Sequence, residues 1–380
     1  MLSFPTNPAV ATLPVYQPGR PIEEVARELG MPAETIIKLA SNENPLGPSR
    51  LAVAAMRRAA AQVNLYPDGS AFYLKQKLAA QLGLSPAHLL LGNGSNEVIE
   101  ILGHALLSAR LGEDAPAEVV VSQYCFAVYP IVTALFGAKL VVVPAKNYGH
   151  DLDAMLAAIT PRTRIVFVAN PNNPTGTAVS GEELARFIRA VPEHVVIALD
   201  QAYLEFQAGP LDLLPELREG RRTNLLLMRT FSKIYGLAGV RLGYGIGNPE
   251  FIAELEKIRQ PFNINAIAQA GVLAALDDAA HADRTRRNNE RGLKFYARAF
   301  RRLGLEFIPS AANFILVRVG DGQRVFGELQ KLGVIVRPMG GYELPEWIRI
   351  SVGKPKQNQR CLEALKQALA GIAAAKAPLP

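Results

Sequence analysis

A chain of 380 residues with 49% apolar and 20% charged residues carries core material for two to three domains and reads as an ordinary soluble globular protein. Its net charge of +7 suits an anionic small substrate or nucleic acid, yet the densest basic run, from Arg284 to Arg302, falls on a helical pattern, reads as a solvated helix face and has no nucleic-acid module beside it. Cys125 and Cys361 are only two and lie in different regions, which argues against a disulfide framework and fits a reducing cytoplasm, while the five histidines show no metal spacing and neither a secretory signal nor a bilayer-length apolar run is present.

The chain opens with an irregular arm, residues 1–45, whose turn signals (Pro14, Pro18-Gly19, Pro21, Ser41-Asn-Glu-Asn-Pro45) surround one short helix at Ile22–Leu29. Helices over Arg50–Gln62 and Phe72–Leu82 flank the turn Tyr66-Pro-Asp-Gly69. From Leu89 onward short apolar strands alternate with helices. The strands are Leu89–Leu91, Val119–Ser122, Leu140–Val143, Ile165–Ala169, Val195–Leu199, Leu225–Met228 and Leu242–Ile246. Helices at Asn96–Leu107, Phe126–Phe136, Leu152–Ala158 and Glu182–Ala190 fall between them. This alternation predicts an α/β fold with a mostly parallel central sheet flanked by helices. Further helix, from Pro249–Gln260 to about Leu303, leads to strands at Asn313–Val319, Gly333–Val336 and Trp347–Val352, a smaller α+β domain. The expected division is an arm at 1–45, a large domain at 46–280 and a small domain at 281–380, with Ala370–Pro380 as a frayed tail.

In open α/β sheets ligands sit beyond the carboxyl ends of strands, so the residues just after each strand carry the functional information. The first strand is followed by Gly92-Asn-Gly-Ser-Asn-Glu97 and a helix, an arrangement that can cradle an anion or can simply turn the chain. Asn170-Pro-Asn-Asn-Pro-Thr-Gly176 after the strand Ile165–Ala169 reads equally as a plain turn. Asp200 ends an all-apolar strand, where a carboxylate is costly to bury without a donor, and Tyr203 follows it. Lys233 lies in Thr230-Phe-Ser-Lys-Ile-Tyr-Gly236 among apolar and glycine neighbours, with Ser232 before it and Arg241 after it. A lysine so placed shifts its pKa readily and can form a Schiff base with an aldehyde. Glycines alternate at Gly243, Gly245 and Gly247 inside a strand, which rejects a dinucleotide fingerprint. One molecule explains the four strand ends together: a phosphate-bearing pyridine aldehyde, pyridoxal 5'-phosphate (PLP).

With these residues in place the chain resembles the fold-type-I PLP-dependent aminotransferases, and among them most closely the histidinol-phosphate aminotransferases. The similar motifs are Leu39-Ala-Ser-Asn-Glu-Asn-Pro45, Tyr66-Pro-Asp68, Gly92–Asn96, Asn170–Gly176, Asp200–Tyr203, Thr230–Lys233 through Gly243, and Trp347-Ile-Arg-Ile-Ser351, in the family's order across nearly the whole chain. The resemblance implies that Lys233 holds PLP, that Asp200 faces the ring nitrogen, and that Tyr203 and Asn173 bond the ring hydroxyl oxygen. It places Tyr124 on the ring face and assigns the phosphate to backbone at Ser95 and Asn96, to Ser232 and to Arg241. Tyr66 would reach the cofactor phosphate of a partner subunit, making a homodimer the active unit. Arg349, with Arg337 and Tyr16, would bind the substrate carboxylate or phosphate. Gln201 departs from the family, which often has Glu there, and has no assigned role.

The activity so implied is transamination between histidinol phosphate and glutamate/2-oxoglutarate in histidine biosynthesis, with Lys233 as general base and acid. An aromatic amino-acid aminotransferase would use the same residues, since both substrates want arginine. A decarboxylase on the same cofactor also remains open. A PLP-sensing transcription regulator is disfavoured, since the motifs start by Asn42 and leave no room for a DNA-binding module before them.

Overall fold

The computed structural model describes residue 13, residues 19–108 and residues 115–375. In chain order its strands are β1 (Ile37–Lys38), β2 (Leu89–Gly92), β3 (Glu118–Ser122), β4 (Lys139–Val143), β5 (Thr163–Ala169), β6 (Val196–Asp200), β7 (Leu225–Thr230), β8 (Gly243–Ile246), β9 (Phe307–Ile308), β10 (Phe314–Arg318), β11 (Val334–Ile335), β12 (Arg337–Pro338) and β13 (Trp347–Ser351). Seven form a central sheet in the order β2-β8-β7-β6-β5-β3-β4. The pairs from β4 through β7 are parallel, and β8 runs antiparallel to both of its neighbours. Parallel strands need a covering crossover, and residues 231–242 between β7 and β8 hold only one 3-10 turn, so this step reverses direction.

The apolar runs are continuous because both faces of this sheet are covered. Alternate residues divide cleanly between two cores. Val120, Val166, Val168, Ile197, Leu199, Leu225 and Leu227 enter one; Val119, Val121, Ile165, Phe167, Ala198, Leu226 and Met228 enter the other. Helices Ser95–Leu106 and Val128–Leu135 pack on the second face, and Gly181–Ala190 on the first.

The C-terminal part is a four-stranded antiparallel sheet, β12-β13-β10-β9. Its core joins Ile315, Val317, Ile348 and Ile350 to Tyr296 and Phe300 of the long helix Ala279–Arg302 and to Cys361 and Leu365 of the last helix. Two short pieces of the chain's beginning are tied in: β1 pairs in parallel with β11, and Leu39 is buried in the same core. Among the described residues no helix is long and apolar enough to cross a membrane.

Several boundaries differ from the sequence expectation. The helix starting at Pro249 ends at Glu256, and the helical text beyond it is two helices, Ala266–Ala275 and Ala279–Arg302. Asn265 and Asp278 supply the N-caps that start them. The last helix, Pro355–Ala374, runs through Ala370–Ala374, which had been read as frayed. Alanine is the best helix former, and that low complexity is a propensity signal rather than a sign of disorder. The two-residue strands β1, β9 and β12 differ from the sequence expectation as well, because two residues carry no period.

Candidate active site

Since β3, β5, β6 and β7 are parallel, their carboxyl ends share one edge of the sheet, and the loops that leave it converge on a cavity of about 290 Å³. Lys233, Asp200, Tyr203, Asn173, Ser95, Asn96, Ser232 and Arg241 line it from the large sheet. Arg337 and Arg349 line it from the small one. Ten of the thirteen residues proposed from the sequence therefore meet in one place. Of the other three, Tyr16 falls outside the described residues. Tyr66 is 83% exposed and stacks on Phe262 at 4.8 Å, away from the cavity. Tyr124 packs against Tyr148 at 6.1 Å and does not line the cavity, whereas Phe126, two residues on, does.

Lys233 is fixed by its neighbours. Phe231 and Ile234 are fully buried on either side of it, and Phe231 stacks on Tyr244 at 5.3 Å. The Nζ atom lies 3.5 Å from the Ser41 carbonyl oxygen, to which it donates, and 5.5 Å from the Tyr203 ring centre. The early segment Ser41–Asn44 clamps this loop. Asn44 Nδ2 donates to the Ile234 carbonyl at 2.9 Å, and Asn42 Nδ2 donates to the Tyr203 hydroxyl at 2.9 Å. Asn42 sits at φ 55°, a left-handed conformation that asparagine tolerates better than most residues. It is held there by Ser351, whose Oγ accepts from the Asn42 N–H at 2.8 Å and donates to Oδ1 at 3.0 Å.

Asp200 is buried and held by two donors: Oδ2 accepts from the Tyr129 hydroxyl at 2.7 Å and Oδ1 from the Ala202 N–H at 2.9 Å. Burial pushes its carboxyl above the usual range, against the pull of Tyr129, of the Ala202 N–H and of the Lys233 charge. Tyr129 itself is pushed well up, by burial and then by the Asp200 charge, so it stays a donor. Tyr129 has no signal in the sequence, and Asn42, though part of the Leu39–Pro45 motif, has no role assigned there. Gln201, the departure from the family pattern, is buried and accepts from Arg229 Nε at 2.9 Å.

The anion end of the cavity is built from backbone. Helix Ser95–Leu106 begins at Gly94, which has φ 77° and no side chain to cap the first N–H groups. A Cβ on Gly94 would come within 2.2 Å of Arg241 Nη2, so only glycine lets the guanidinium lie against this turn. Arg241 is in the left-handed region at φ 58°, and its Nη1 donates to Ala238 O at 3.1 Å and Ser232 Oγ at 3.4 Å. At the other end Arg349 is buried, with Nη1 donating to Asn173 Oδ1 at 2.7 Å and Nη2 to Ala40 O at 3.1 Å. Arg337 stands directly opposite Arg349 in the β12–β13 register. Like charges opposed across strands destabilise a sheet, and an anion between them removes that cost. The arrangement thus brings together an amine, a buried carboxylate, and arginines at each end of one cavity.

The family described as aminotransferase class I and II matches residues 34–365. A histidinol-phosphate aminotransferase of Akkermansia muciniphila is 53% identical over 364 residues, covering 96% of this chain and 98% of that protein. A histidinol-phosphate aminotransferase 2 of Ralstonia nicotianae is 49% identical over 372 residues, 96% and 97% of the two chains. Among solved structures, the histidinol-phosphate aminotransferase of Sinorhizobium meliloti in complex with pyridoxal-5'-phosphate aligns with a TM-score of 0.87 at 30% identity, over 97% of this chain and 98% of that one.

Proposed function

The chain belongs to the class I and II aminotransferases, and from that membership we propose that it transfers the amino group of L-histidinol phosphate to 2-oxoglutarate with PLP as cofactor. The products are imidazole-acetol phosphate and glutamate, a step of histidine biosynthesis. The observation that carries the reading is the cavity itself, which sets Lys233 and Asp200 between an uncapped helix start with Arg241 and the opposed pair Arg337 and Arg349.

The residues fit the cofactor. The unfilled N–H groups at Ser95 and Asn96, Ser232 and Arg241 suit a phosphate; Asp200, buried and already held by two donors, suits a protonated ring nitrogen. When bound, PLP supplies an aldehyde for the amine and an electron sink for negative charge at Cα. Tyr203, oriented by Asn42, and Asn173, oriented by Arg349, donate to the ring hydroxyl oxygen. Lys233 Nζ takes the Cα proton of the substrate as general base and delivers it again as general acid. Arg349 binds the carboxylate of glutamate and, with Arg337, the phosphate of histidinol phosphate, forked donors suiting both anions. Phe126, unlike Tyr124, lines the cavity beside these groups.

The working unit is a homodimer. Val63, Leu65, Tyr66, Phe72 and Tyr73 are all more than half exposed within a short stretch, an apolar surface that supports burial against a second copy and brings Tyr66 to the partner's site. Both cysteines are free and buried, which supports a cytoplasmic setting. The test is a half-reaction series on purified protein, adding histidinol phosphate, phenylalanine and glutamate separately while the cofactor absorbance is followed. Bleaching by histidinol phosphate and glutamate is the expected result. Bleaching by glutamate and phenylalanine but not by histidinol phosphate would replace the reading with an aromatic aminotransferase.

A further inference from the structure

The backbone that faces the anion is held from behind by a charged relay that takes no part in the chemistry above. Glu97 lies in the first turn of helix Ser95–Leu106, where a carboxylate favours the helix but opposes an anion bound at the same N–H groups. It does not line the cavity; its Oε2 accepts from the Asn93 N–H at 2.5 Å and from Asn263 Nδ2 at 2.6 Å. Asn263 Nδ2 also donates to the Leu91 carbonyl at 3.2 Å, so one amide grips both the strand before the Gly92–Gly94 turn and the helix after it. Asn263 is in turn held by Arg259, whose Nη1 donates to its Oδ1 at 2.7 Å. Arg259 Nη2 donates to Gly69 O at 3.0 Å and its Nε to Glu256 Oε2 at 2.6 Å, while Lys75 Nζ donates to Glu256 Oε1 at 2.5 Å. Lys75, Arg259 and Glu256 are each at most a quarter exposed.

Gly94 provides no side chain to fix this turn, and Glu97 and Asn263 supply the missing constraint. We propose that Asn263 and Glu97 are positioning residues that hold the Gly94–Asn96 backbone at the spacing a phosphate needs, and so set the affinity for the phosphate of the cofactor. The inference rests on reading Ser95 and Asn96 as phosphate binders.

Full-length apoprotein titrated with PLP and with pyridoxal, which has the ring and aldehyde but no phosphate, tests it. Asn263→Asp sets a carboxylate against Glu97 and is expected to raise the Kd for PLP about tenfold, with the Kd for pyridoxal changing less than about twofold. Adding Glu97→Gln turns the pair into an amide donor facing a carboxylate acceptor and recovers most of the loss. Asn263→Ala, the milder change, shifts the PLP constant in the same direction and serves if the aspartate variant does not fold. The proposal is overturned if PLP affinity is unchanged in the Asn263 variants, if both ligands weaken together, or if Glu97→Gln rescues nothing. Arg241→Gln separates the two readings. If it selectively weakens PLP while the Asn263 variants do not, only the relay fails; if it leaves PLP unaffected, the phosphate cradle itself has been misread.

Discussion

Replacing Tyr129 by Phe removes one hydroxyl and little else, since the ring remains stacked on Phe167 with centres 4.4 Å apart and planes 3° from parallel. The hydroxyl donates to Asp200 Oδ2 at 2.7 Å between two buried groups. A hydrogen bond to a charged group is worth about 1.5–3 kcal/mol and one to a neutral group nearer 1 kcal/mol. Because burial raises the Asp200 pKa above its unfolded value of 3.8, the folded state holds that proton more tightly, and Asp200 makes stability fall as pH rises from about 4 through its folded pKa. Tyr129 opposes this rise, so its loss moves the folded pKa up again and extends the falling window. The destabilisation of Tyr129→Phe is therefore expected to be about 1 kcal/mol near pH 4 and to grow toward about 1.5–3 kcal/mol as pH rises through the folded pKa. Urea unfolding of the apoprotein between pH 4 and 8 measures both limits. A penalty independent of pH, or one that shrinks as pH rises, would refute the account of how Tyr129 acts on Asp200.

Lys233→Ala should lower turnover by about 10⁴-fold or more while PLP is still retained through its phosphate, read by stopped assay and by absorbance after dialysis. Arg349→Lys loses the planar fork by which the guanidinium holds Asn173 Oδ1 and still meets a carboxylate in two parallel bonds, and should raise the KM for 2-oxoglutarate by roughly 10–100-fold, measured by steady-state kinetics. Glu118 is buried at the start of β3 and is held below the usual carboxylate range first by the Thr160 hydroxyl and then, against burial, by Lys139 and Arg162. Glu118→Gln should cost about 1–2 kcal/mol at neutral pH, limited by the half-exposed cations. Because the folded pKa is depressed, that stabilisation is present above about 4.5 and disappears as pH falls through the folded pKa, so the two unfolding curves should merge in acid.

The sequence by itself determined the strands, the mostly parallel sheet and the loops that carry chemistry. Apolar runs of four to seven residues are dictated by burial on both faces, and burial is a local demand that a short window records. Lys233 and Asp200 were legible because each sets a charge among apolar neighbours at or just beyond a strand end, whereas the Asn170–Gly176 turn took its meaning only from the family resemblance. Tertiary structure alone decided which groups complete them. Tyr129 meets Asp200 across 71 residues, Asn42 meets Tyr203 across 161, and Arg349 meets Asn173 across 176. Gln201, a bare departure in the sequence, gains a partner only when β6 and β7 lie side by side and Arg229 reaches it. The opposition of Arg337 and Arg349 likewise exists only in the β12–β13 register. Such pairings leave no periodic trace, because a hydrogen bond between two loops depends on where the sheets and helices carry their ends, not on the residues beside either partner.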